Sequence, residues 1–91
     1  MQLTKEEIRA AVYALVIDQN NSAQQYGLDK LVLAIDIFKT LNACVDGEKN
    51  YQDGDVNIDA AGKTFLLDRL NRSWTIGDGI HVFTLRAKLE E

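Results

Sequence analysis

Apolar positions recur along the chain at helical spacing in three stretches and at strand-like spacing in a fourth. The first stretch opens with Thr4 and Glu7 three residues apart, the pair that makes a capping box, with Leu3 and Ile8 placed as its hydrophobic staple. A helix is expected from about Lys5 to Asp18. Its stripe contains Ile8, Ala11, Val12 and Leu15, but Tyr13 and Ile17 fall off it. A helix apolar nearly all round is either central or meets a partner, and Tyr13 and Ile17 are the residues expected to carry self-association into a homo-oligomer.

The polar segment Gln19 to Gln25 reads as a connector. From Leu28 to Val45 the pattern is helical again, with Leu28, Leu31, Ala34, Ile35, Phe38, Leu41 and Val45 on one face and Gly47 placed to stop it. Asp59 then fits as the cap of a third helix over Ala60 to Arg72, with Leu66, Leu67, Leu70 and Trp74 as its main stripe. After Trp74, Gly77-Asp78-Gly79 reads as a turn. His81, Phe83, Leu85, Ala87 and Leu89 alternate with Val82, Thr84, Arg86 and Lys88, the period of a strand. The expected fold is therefore α+β: three helices with a C-terminal β-hairpin, and an optional short hairpin at 50–58 around Asp53-Gly54, a favoured two-residue turn.

Length and composition narrow the setting. Ninety-one residues suit a single small domain, and 46% hydrophobic with 26% charged residues is ordinary for a globular chain. The longest apolar run, Ala10 to Ile17, is far short of a membrane span, and Lys5-Glu6-Glu7 does not begin a secretory signal. One cysteine, Cys44, makes no internal disulfide. A cytoplasmic location with no membrane partner is expected.

The net charge of −4 speaks against bulk nucleic-acid coating. Charge is unevenly spread. Five acids, Asp46, Glu48, Asp53, Asp55 and Asp59, fall in residues 46–59, whereas Lys63, Arg69, Arg72, Arg86 and Lys88 face only Asp68 and Asp78 over residues 63–88.

Motifs that would carry chemistry fail on spacing. Gly62-Lys63-Thr64 lacks the first glycine of a phosphate-binding loop, since position 57 is Asn57. Asp55, Asn57 and Asp59 space oxygen ligands like the front of a calcium loop, but Ala60 stands where the glycine belongs and Leu66 where the bidentate acid does. His81 and Cys44 are single, and each sits in an apolar pattern. No catalytic residue, metal site or cofactor is expected.

What remains is a patch of Phe65, Arg69 and Arg72 on the far face of the third helix, joined by Arg86 and Lys88 from the last strand. Aromatic and arginine side chains anchor interfaces. The leading expectation is a non-enzymatic protein-binding module, an adaptor, assembly component or inhibitor of the sort viruses encode, whose acidic loop steers it to a partner with a basic surface. The alternative is a winged-helix nucleic-acid binder using the third helix and the C-terminal hairpin. Against it stand the long connection before the third helix and an acid, Asp78, at the wing tip. A nucleotide-binding groove using Phe65 or Trp74 ranks third.

Overall fold

The computed structural model describes residues 1–48 and 50–91; Lys49, the lysine of the acidic segment, lies outside the described residues. In chain order the elements are β1 (Gln2–Leu3), α1 (Lys5–Val16), α2 (Leu28–Asn42), β2 (Gly54–Asp55), α3 (Ala60–Leu70) and α4 (Ile76–Leu89). Among the described residues the fold is mostly helical, with four helices and one two-stranded antiparallel ribbon in which Gln2 pairs with Asp55 and Leu3 with Gly54.

α1 is the axle. It packs against α2, α3 and α4 alike. The capping box forms: the Glu7 amide donates to Thr4 Oγ1 at 3.2 Å and the Thr4 amide to Glu7 Oε1 at 2.8 Å. Leu3 and Ile8 are both fully buried. Ala10, Ala11 and Ala14 are buried too, and such small side chains let neighbouring helices approach on several sides. What α1 leaves to solvent is one narrow stripe, Lys5, Arg9, Tyr13 and Val16.

α3 begins where Asp59 caps it, with Oδ1 accepting from the Gly62 amide at 2.7 Å. Gly62 is there for space: a Cβ would sit 2.7 Å from the Ile58 side chain, so this glycine serves close packing of the chain entering α3. The buried face of α3 is Gly62, Phe65, Leu66 and Leu70.

Two expectations are corrected. The C-terminal hairpin is the helix α4. Thr75 caps it, accepting from the Asp78 amide at 3.2 Å, and the two glycines read as a turn lie in its first turn. Val82, Leu85 and Leu89, at i, i+3 and i+7, form the buried face. Residues 83 and 85, which a strand would place on one side, point opposite ways: Phe83 is 74% exposed and Leu85 0%. Tertiary burial on α1 and α3 outweighs the low helix propensity of two glycines, which cost up to about 1 kcal/mol each. A winged helix has no wing here. The hairpin expected at 50–58 is also absent as such: Gly54 and Asp55 pair with the N-terminal strand, and it is residues 44–46 that pair with 50–52, through Asp46 N–H to Asn50 O and Gln52 N–H to Cys44 O.

α2 ends at Asn42, before the expected Gly47, and it buries Ala34, Ile37 and Leu41. None of the described helices is long and apolar enough to cross a membrane.

Candidate functional site

The five aromatic and basic residues picked out from the sequence do not form one surface. Phe65 is buried, its ring 5.6 Å from that of Tyr26, and Arg69 lies 5.9 Å from the same Tyr26 ring while pairing with its neighbour Asp68 at 3.2 Å. Burial raises the phenol pKa of Tyr26, with Arg69 opposing it. The Tyr26 hydroxyl donates to Leu15 O at 2.8 Å. Arg72 closes the end of α1. That helix has no basic residue in its last turn, so no cation of its own meets the negative end of its dipole. Arg72 supplies one from across the fold, donating through Nη1 to Ile17 O and through Nη2 to Tyr13 O, with its guanidinium 5.2 Å from both the Tyr13 and Trp74 rings.

Lys88 and Arg86 sit apart from these. Lys88 Nζ donates to Glu7 Oε1 at 2.7 Å and to Gln2 O at 3.0 Å, and Thr84 donates to Glu7 Oε2 at 2.7 Å. Burial by itself raises the carboxyl pKa of Glu7, but the hydrogen bonds from Lys88, the Thr4 amide and Thr84 outweigh it and hold the group below the usual range. Arg86 pairs in the open with Glu90 at 2.7 Å. Of the set, Arg72 and Arg86 share one groove of about 490 Å³ between α3 and α4, beside Trp74 and Phe83.

The acidic segment divides by task. Asp53 accepts from the Lys5 amide at 2.7 Å, Asp55 meets the Met1 amino group at 3.1 Å, and Asp59 caps α3. Asp46 and Glu48 are exposed. Tyr13 is 43% exposed, with its ring 6.1 Å from that of Trp74, and Ile17 is half-buried, bridging to Ala23. Cys44 lies against Gly54, while His81 is on α4.

The residues that sequence reasoning missed are apolar ones left in water. On α2, Leu28 is 82% exposed, Val32 70% and Ile35 44%; on α4, Ile76 is 87% exposed, Ile80 59% and Phe83 74%. Each trio runs i, i+4, i+7 from the first residue of its helix, which makes a single exposed stripe. The α2 stripe borders a concave groove of about 230 Å³ between α1 and α2, walled by Leu15, Val16, Tyr26, Leu31, Ile35 and Phe38. The spacing was visible in the sequence. What it lacked was any sign of which apolar face the core takes. Comparison with protein-family models, curated proteins and solved structures returns no match.

Proposed function

We propose that this chain is a non-enzymatic protein-binding module that takes an amphipathic helix of a partner protein on the α1–α2 face. One observation carries the reading: the stripe of Leu28, Val32 and Ile35 stands exposed beside the apolar groove that ends at Phe38. In helix-in-groove recognition a partner's amphipathic helix lays its apolar face into a hydrophobic groove, and the exposed stripe gives this groove an apolar lip. Removing such a side chain fully from water is worth about 1.5–3 kcal/mol, so three of them supply a substantial part of a binding energy. The net charge of −4, together with the exposed Asp46 and Glu48, favours a partner with a basic surface, acting on association rate more than on affinity. Occupying a partner's helix in this way is enough for an adaptor, an assembly component or an inhibitor, and it needs no reaction at the site.

The test is a pull-down from the native host's extract with wild-type protein and with the Val32→Glu/Ile35→Glu variant, nucleic acid being quantified in both. The expected result is one protein held in stoichiometric amount by the wild type and lost by a variant whose circular dichroism and melting temperature are unchanged. Equal retention by the variant, or nucleic acid as the captured species, would overturn the reading.

A further inference from the structure

The outer face of α4 has a geometry that fits a second copy of itself. Ile76, Ile80, Phe83 and Ala87 lie at i, i+4, i+7 and i+11, the alternating spacing of a coiled-coil seam, on the side of the helix opposite the buried Val82, Leu85 and Leu89. Read antiparallel about its midpoint, this seam is self-complementary: Ile80 meets Phe83 of the second copy, and Ile76 meets the small Ala87. A two-fold interface requires that kind of match, since each residue must find its partner in the same patch reversed.

An independent observation comes from the glycines. Gly77 and Gly79 flank the seam on its two sides within the first turn, where glycine weakens a helix. Nothing inside the fold asks for them: a Cβ on Gly77 would meet no atom within 4 Å, and one on Gly79 would make only ordinary contact with Trp74 at 3.7 Å. In the antiparallel pairing they come opposite Thr84 and Arg86 of the second copy, where a missing side chain leaves room for a longer one. The N-terminal end of each helix also lies over the C-terminal end of the other, so the helix dipoles oppose favourably.

We propose that α4 is a homodimerisation surface, pairing antiparallel with α4 of a second copy through Ile76, Ile80 and Phe83. The surface stands on α4 alone and is independent of the α2 reading. The three large side chains expose on the order of 400 Å² in each copy, about half of what a standard interface buries per partner. The flanks of the helix and the rim of the Trp74 groove supply part of the rest, giving a dimer that forms in the micromolar range and dissociates on dilution.

Light scattering coupled to size exclusion should give about twice the single-chain mass of 10.2 kDa at high concentration and the single-chain mass on dilution. Ile80→Glu/Phe83→Glu should weaken the dimer about 100-fold or more with the helical signal unchanged. Register has its own test, in a Cys44→Ser background. Chains carrying Ile80→Cys are mixed in equal amount with chains carrying Phe83→Cys and oxidised, and the mixed 80–83 disulfide should exceed the two like-with-like products combined. A single-chain mass for the wild type at every concentration, a dimer that survives the double glutamate change, or an excess of 80–80 and 83–83 products would each overturn the proposal.

Discussion

α2 and α4 carry the same pattern of burial at matched positions, except that Phe38 is half-buried and Arg86 exposed. Each begins with a large apolar residue in water, Leu28 or Ile76, and repeats it at Val32 and Ile35 or at Ile80 and Phe83. Each buries the matching trio on the other side, Ala34, Ile37 and Leu41 or Val82, Leu85 and Leu89. They differ in what joins the two faces. In α2 the gap is filled by Leu31 and Phe38, so apolar surface runs continuously from the exposed stripe down into the groove against α1. The corresponding positions of α4 are Gly79 and Arg86, so the groove that borders its stripe toward Trp74 is floored by a small and a charged residue instead of two large apolar ones. One helix offers an apolar trough with a lip and the other an apolar stripe with small and charged flanks. That difference is why a partner's helix is proposed for the first and a copy of itself for the second.

The largest expected effect tests whether burial separates the two faces. Leu41→Ala and Leu85→Ala, both at positions with 0% exposure, should each cost about 4 kcal/mol, from lost transfer energy and the cavity left behind. Val32→Ser and Ile80→Ser, on the outer stripes, should stay within about 0.5 kcal/mol when measured under dilute, monomeric conditions. Urea titrations with unchanged slope read all four. An Ile80 variant as costly as the Leu85 one would mean that the α4 ridge is covered within the chain itself, and the contrast with the core face would fall.

A smaller effect concerns the polar tie that only α4 has. Lys88 and Thr84 converge on Glu7, whose side chain is 1% exposed, whereas Thr40, at the matching position of α2, merely donates to Asp36 O in its own helix. Glu7→Gln keeps the shape and removes the charge. With Lys88 partly open to solvent, the cost should be about 2 kcal/mol at neutral pH. The folded-state pKa of Glu7 is depressed, so its contribution is fully present above the unfolded value of about 4.3 and is lost as pH falls through and below it. Wild-type stability should therefore fall toward the variant's on acidification. A constant gap between the two down to low pH would show that Glu7 acts through shape alone.

The parts of the fold legible in the sequence are those set by contacts a few residues apart. Thr4 with Glu7, and Asp59 with Gly62, announce α1 and α3 because capping is local chemistry. Thr75 and Asp78 carried the same signal for α4, but Gly77-Asp78-Gly79 and the alternation after it argued for a hairpin, and only packing on α1 decides between the two. For α2, periodicity located the helix but misdirected its face. Leu28, Leu31, Ile35, Phe38 and Leu41 average to a direction between the buried and the exposed sides, because both are apolar. The roles of Arg72 and Lys88 were illegible for a different reason. Their partners, Ile17 and Glu7, lie 55 and 81 residues away, and no spacing rule reaches that far.

The smallest effect sharpens the same comparison at the helix starts. α4 has a side-chain cap, Thr75 Oγ1 accepting from Asp78 N–H, while α2 starts at Gly27 with no side-chain cap at all. Thr75→Ala leaves one amide of the first turn without its acceptor and should cost about 1 kcal/mol. Gly27→Ser should do the reverse: its φ of −66° and ψ of 161° are open to any residue, and the new Cβ would meet nothing nearer than Asp29 Oδ1 at 3.4 Å. A gain of a few tenths of a kcal/mol is expected, since serine exceeds glycine as a cap only slightly. Leu28 and Ile76 stand directly after these caps, so each change alters how firmly the first anchor of its stripe is held. Amide exchange in the first turns checks this directly. Faster exchange at Asp78 in Thr75→Ala, and slower exchange at Lys30 in Gly27→Ser, is the expected pair. If Thr75→Ala leaves exchange at Asp78 unchanged, the start of α4 is held by Trp74 packing on α3 and not by its cap.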